Sequence, residues 1–130
     1  YRFGQLENTI VYSETCEFLG VDDAVDSSMA NALLAGGARA VVGYVNNVYT
    51  VYSRSMLWDT VNHLILGQPI EQAVAHAKDT YGENDLVWYT SQGGQRPHAA
   101  AAYTMLLGDA SAQLTVHESA SAFSEQQKAA

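Results

Sequence analysis

The fold of this chain is decided by residues 38–45, Ala38-Arg39-Ala40-Val41-Val42-Gly43-Tyr44-Val45. Apart from Arg39 the stretch is apolar, and the unbroken apolar run over residues 40–45 is typical of a strand that is buried on both faces. A second run of β-branched and aromatic residues, within residues 9–15, predicts an earlier strand. Between the two, apolar residues recur at helical spacing in residues 29–34, and the glycine pair at 36–37 ends the predicted helix. This order predicts a βαβ unit with two parallel strands.

The remaining elements extend the βαβ unit into an α/β domain. Apolar spacing predicts a helix near residues 52–66 and another over residues 69–82, where a proline at the first position costs no hydrogen bond. Residues 101–107 predict a last strand. We therefore predict an α/β fold with a parallel or mostly parallel sheet flanked by helices. Residues 1–118 belong to this domain, and residues 119–130 are predicted to be a flexible tail.

Composition limits the classes of function. The chain has 130 residues, 48% of them hydrophobic, which is enough for one globular domain with a buried core. Its formal net charge of -8 argues against nucleic acid and anionic membranes as partners. No apolar stretch approaches the roughly 18 residues of a membrane span. Because the chain begins at Tyr1 rather than Met, we expect a processed product or an excised piece of a longer protein.

Cys16 is the only cysteine and the first candidate for chemistry. It follows the first predicted strand, and a thiol among polar residues at the end of a strand is typical of reactive groups in α/β proteins. A single cysteine cannot form a disulfide within its own chain, and it fits a reducing compartment such as the cytoplasm. The residues alone leave two roles open for Cys16, a nucleophile or a quiet core residue.

A reactive thiol needs a nearby base or a positive field, because a free thiol is mostly protonated at neutral pH. The chain has four histidines, and none has a spacing that pairs it with Cys16. His63 and His76 fall within predicted helices, where a role at the surface or boundary is favoured, and we assign no role to His98 or His117. No spacing of His, Cys and acidic residues is typical of a metal site, so we predict no catalytic metal and no cofactor.

Four segments of the sequence resemble the C-terminal half of caspase-like cysteine peptidases of clan CD, in particular the CHAT branch. They are a strand that leads to Cys16-Glu17, a helix followed by Gly37-Ala38-Arg39 and a strand, a junction of two helices at Gly67, and a closing strand that ends in Gly108-Asp109. The segments occur in the order of that family and together cover residues 9–110. The resemblance implies a caspase-like fold and peptidase activity.

By this resemblance Cys16 attacks a peptide carbonyl, and its backbone amide contributes to binding the oxyanion. The histidine of the family precedes the cysteine, whereas no histidine precedes Cys16 here, so we expect it from an upstream half of the same domain. The family binds the substrate residue before the scissile bond in a pocket near the nucleophile, which would here be lined by Asp22, Asp23, Tyr44 and Asn46. A carboxylate in that pocket favours Arg or Lys. The expected partners are therefore the upstream half and a peptide or protein substrate.

Two other interpretations stay open. The absent histidine, together with Glu14 and Glu17 beside the thiol, fits a catalytically inactive CHAT-like module that binds other proteins. The other is an unrelated α/β domain in which Cys16 is a buried structural residue. A first strand that is not adjacent to the strand in residues 40–45 would favour this last interpretation.

Overall fold

A computed structural model describes residues 6–19, 28–48, 50–82, 88–89, 95–96 and 100–114. The elements in chain order are β1 (Ile10–Tyr12), α1 (Met29–Ala35), β2 (Ala40–Tyr44), α2 (Thr50–Ile65), α3 (Ile70–Gly82), β3 (Trp88–Tyr89), β4 (Gln95–Arg96), α4 (Ala100–Tyr103) and β5 (Thr104–Gly108). Within these ranges no helix combines the length and the apolar character that crossing a bilayer requires. The predicted tail lies outside the described residues.

The strand β2 is the centre of a three-stranded sheet with the order β1-β2-β5. β1 runs parallel to β2, with Ile10 opposite Ala40, whereas β5 runs antiparallel, with Leu106 opposite Val42. A separate antiparallel pair joins β3 to β4, which lie in a stretch where the sequence predicts no regular structure. The α/β class and the adjacency of the first two strands are therefore confirmed.

The predicted parallel or mostly parallel sheet is wrong for its last strand, and the sheet is mixed. Residues 100–103, three alanines followed by a tyrosine, form the helix α4, because alanine favours helix more than any other residue. This helix brings the chain to the carboxyl end of β2, where the Val45 amide donates to the Tyr103 carbonyl at 3.0 Å. The following strand, β5, starts at that end and must run back along β2.

Both faces of the sheet are covered, which gives the domain three layers. All five residues of β2 are buried, and they alternate between the two faces. Ala40 and Val42 pack against residues of α2 and α3, whereas Val41 packs against residues of α1. The continuous apolar pattern of β2 is thus explained by helices on both sides of the sheet.

Two glycines end helices as the sequence predicts. Gly37 and Gly67 have positive φ angles of 102° and 86°. After α2, the amides of Gly67 and Gln68 donate to the carbonyls of Leu64 and His63, which satisfies two carbonyls that the helix leaves free. This turn directs α3 back against α2.

The end of β5 is fixed against the start of β2. Gly108 has φ 93°, and a Cβ added there would lie 2.5 Å from the Arg39 carbonyl oxygen. The Arg39 guanidinium donates to the Asp109 carboxylate, which also accepts from the hydroxyl and amide of Ser111. These hydrogen bonds, that of the Ser111 hydroxyl first and that of Arg39 second, lower the pKa of Asp109 from 3.8 to about 2.

Candidate functional site

Cys16 lies in a loop at the carboxyl ends of the two parallel strands. We call residues 13–19, which follow β1 directly, the thiol loop. Three backbone hydrogen bonds join it to the end of β2 and beyond, from Ser13 to Val42 at 2.9 Å, from Leu19 to Tyr44 at 3.2 Å and from Glu17 to Asn46 at 3.4 Å. The loop is therefore held across the edge of the sheet where α/β proteins most often bind ligands.

Side-chain packing also holds the thiol loop in place. Leu19 is buried among residues of α1 and β2, and Phe18 packs against the same cluster. A Cβ added to Gly43 would lie 2.8 Å from Phe18 Cδ1, so only glycine at this point of β2 leaves room for the ring. Glu17 takes the left-handed conformation, with φ 54°, within the turn that residues 16–19 form.

The Cys16 thiol is exposed and contacts the backbone that follows β2. Its sulfur lies 3.3 Å from the Val48 carbonyl oxygen, to which it donates, and accepts from the Val48 amide at 3.4 Å. The exposed thiol contradicts the buried structural cysteine of the third interpretation, while its other part, an α/β domain unrelated to caspase-like peptidases, stays a prediction. The arrangement leaves the sulfur accessible to an electrophile and places one amide N–H close to it.

The residues predicted to bind substrate have different positions. Asn46 is exposed, and its carbonyl accepts the hydrogen bond from Glu17 in the thiol loop. Tyr44 is fully buried, so its side chain faces the core and not the exposed surface beside Cys16. We therefore leave Tyr44 out of the candidate site. Asp22 and Asp23 lie outside the described residues.

Tyr44 instead forms a buried polar link between β1, β2 and α2. Its hydroxyl lies 3.1 Å from the Tyr12 hydroxyl and donates to the Ser53 carbonyl at 3.3 Å. The two rings meet edge to face, with centroids 6.4 Å apart. Burial raises the pKa of Tyr12 above its ordinary value of 10.0. This link fixes the ends of the two strands from which the thiol loop departs.

The described histidines lie together and not beside the thiol. His63 and His76 have ring centroids 3.8 Å apart, and His76 Nδ1 lies 2.7 Å from Asp59 Oδ2. Among the described residues, the hydrogen-bond contacts of Cys16 Sγ are with Val48 alone. His98 and His117 lie outside the described ranges. The part of the chain that the structure describes therefore supplies no imidazole to Cys16.

Sequence reasoning missed two features of this region. The contact of Cys16 with Val48 joins residues 32 positions apart, and no local pattern marks it. The group of Asp59, His63 and His76 has a partial signal, since Asp59 and His63 are four residues apart and share a helix face.

The interpretation of this site rests on the residues of the chain itself. Comparison with protein-family models, with curated proteins and with solved structures gave no match. The resemblance to caspase-like peptidases therefore stays a prediction that depends on the four sequence segments.

Proposed function

We propose that this chain is the C-terminal portion of a caspase-like cysteine endopeptidase in which Cys16 is the nucleophile. The observation that carries the proposal is the exposed thiol, held on a packed loop at the carboxyl ends of β1 and β2. A nucleophile must be accessible to its substrate and yet fixed in position, and the thiol loop supports both requirements. The catalytic histidine is supplied by an upstream or separate segment.

In this reaction the Cys16 sulfur attacks the carbonyl carbon of the scissile peptide bond. The histidine removes the thiol proton, which in the resting arrangement is directed at Val48, and then gives it to the leaving amine. A thioester forms as the carbon–nitrogen bond breaks. Water then adds its hydroxyl to the acyl group, and its proton returns to the sulfur.

The chain contributes backbone groups to this chemistry. The Cys16 amide is proposed to donate to the oxyanion that develops on the attacked carbonyl. The Val48 amide, 3.4 Å from the sulfur, would stabilise negative charge there once the proton has been removed. Asp22, Asp23 and Asn46 are proposed to line the pocket for a substrate Arg or Lys.

A peptide probe tests the proposal. The full-length or two-chain protein would be treated with an electrophilic peptide that carries Arg at the position before the reactive group. We expect covalent labelling of Cys16 that is much faster than labelling of the present chain alone. Iodoacetamide, which needs no peptide recognition, serves as the control for thiol accessibility, and Cys16→Ala serves as the control for the site. Equal rates with and without the upstream half would contradict the proposal.

The alternative function is that of a catalytically inactive CHAT-like module that binds proteins. It is favoured by the absence of an imidazole next to Cys16 in the described residues. For such a module, the peptide probe would not label the full-length protein, and Cys16→Ala would bind the partner as tightly as the wild type. The labelling experiment therefore separates the two functions.

A further inference from the structure

We propose that Asp59, His63 and His76 form a zinc-binding site that joins α2 to α3. Each residue offers one donor atom, and the three donor atoms lie within 4.8 Å of one another. Asp59 Oδ2 is 2.7 Å from His76 Nδ1, and Asp59 Oδ1 is 4.0 Å from His63 Nε2. This site is independent of the function proposed for Cys16.

The helical hairpin brings the three residues together. Asp59 and His63 are one turn apart on α2, so their side chains point to the same side. The turn at Gly67 folds α3 back, which places His76 opposite Asp59. Beneath the cluster, the buried residues Met56 and Ala77 pack together between the same helices. The donor atoms are therefore presented by packed helices and not by loops.

The spacing of the donor atoms suits a single zinc ion. Zinc bonds to nitrogen and oxygen are about 2.0–2.1 Å long, so two ligands of a tetrahedral zinc lie about 3.3 Å apart. The separations of 2.7 and 4.0 Å lie on either side of this value but involve different oxygens of Asp59, and one donor atom from each residue can be chosen with all three within 4.8 Å. A bound zinc ion would require the three donor atoms to move to about 3.3 Å from one another. Two imidazoles and a carboxylate favour zinc over magnesium or calcium, which prefer oxygen ligands alone.

His63 supplies a second reason for a metal ion. Its Nδ1 is buried and has no hydrogen-bond partner among the described residues, and its Nε2 is too far from Asp59 for a hydrogen bond. The side chain is only 19% exposed, so it has lost most of its contact with water. A metal ion would supply a partner to Nε2, whereas Nδ1 would keep none among the described residues.

The site would be open on one side. Asp59 is 18% exposed and His76 is 49% exposed, so the cluster reaches the surface along α3. Three protein ligands leave the fourth tetrahedral position of a zinc ion to water or to an added ligand.

Calorimetric titration with Zn²⁺ alone tests this proposal on the whole chain after treatment with a chelator. We expect one Zn²⁺ per chain, and a dissociation constant that rises about 100-fold or more in Asp59→Asn and in His76→Gln, since even outer partners of a ligand contribute 10–100-fold. The matched controls are Glu71→Gln, an exposed carboxylate of α3 outside the cluster, and His117→Ala, another histidine of the chain. Both are expected to bind Zn²⁺ as the wild type does.

Thermal unfolding separates a lost site from a lost fold. Zn²⁺ that binds the folded chain should raise the Tm of the wild type and of Glu71→Gln, but not that of His76→Gln. His76 is the residue of choice because it is half exposed, but its replacement also removes the hydrogen bond to Asp59, so the comparison is of the Tm shift that Zn²⁺ causes in each variant and not of the metal-free Tm. The proposal would be overturned if His76→Gln bound Zn²⁺ like the wild type, or if His117→Ala lost as much affinity as His76→Gln.

Discussion

Gly43→Ala is expected to displace the thiol loop from β2 and to destabilise the chain. The added Cβ would lie 2.8 Å from Phe18 Cδ1 and 3.4 Å from two carbon atoms of Leu19. Carbon atoms in contact prefer separations of about 3.5–4.0 Å, so the methyl group overlaps the Phe18 ring by roughly 1 Å. Overpacking of this kind costs about 1–3 kcal/mol. Alanine is favoured over glycine within a strand by about 0.5–1 kcal/mol, which leaves a net loss of up to about 2.5 kcal/mol.

Urea unfolding of the variant measures this loss, and alkylation of Cys16 by iodoacetamide reports the position of the loop. In the double variant Gly43→Ala/Phe18→Ala the clash is absent. Its loss of unfolding free energy should therefore be smaller than the sum of the losses in the two single variants. Gly67→Ala is the matched control. No atom lies within 4 Å of its new Cβ, but its φ of 86° disfavours alanine, so it should lose stability without a change in the alkylation of Cys16. A double variant that shows no coupling would refute the packing of Phe18 on β2.

Three further substitutions test contacts of the strands β1 and β5, which flank β2. Gly108→Ala should cost about 3 kcal/mol or more, because the new Cβ would meet the Arg39 carbonyl oxygen at 2.5 Å and φ is 93°, and an unchanged urea midpoint would contradict this contact. Asp109→Asn should be less stable than the wild type above about pH 4, because a pKa lowered to about 2 stabilises the folded chain only where the carboxylate is charged. This difference should shrink as the pH falls towards 2, and thermal unfolding that gives the same difference at pH 2 and 6 would contradict the hydrogen bonds of the Asp109 carboxylate with Ser111 and Arg39. The raised pKa of Tyr12 stabilises the folded chain below about pH 10, and this contribution is lost as the pH rises through the folded-state pKa. Tyr12→Phe should therefore make unfolding in alkali less dependent on pH, and a titration of stability from pH 8 to 11 that is identical for both proteins would exclude this role.

Local patterns in the sequence predicted the central strand and the ends of two helices. The apolar run of β2 and the glycines that end α1 and α2 depend on neighbours a few residues away, and the structure confirms them. The direction of β5 depends instead on which end of β2 the chain reaches after α4. That choice is made by contacts between Val45 and Tyr103, which are far apart in the sequence and which no periodicity could reveal.

The candidate site divides in the same way. The position of Cys16 at the carboxyl ends of β1 and β2 follows from a short strand and the parallel pairing of a βαβ unit. Its contact with Val48, and the space that Gly43 leaves for Phe18, join segments that meet only in the folded chain. The sequence therefore indicates where the thiol lies, but not what holds it there.

The residues of the proposed zinc site lie where an antiparallel pair of helices would place them. Asp59 lies six residues before the end of α2, and His76 lies six residues after the start of α3. Two helices joined by a short turn are antiparallel neighbours, so residues equally far from the turn come opposite each other. His63, one turn from Asp59 on the same face, completes the group. The spacing of the three residues matches no metal motif, but Asp59 and His76, eight and nine residues from Gly67, come opposite each other once the chain turns there.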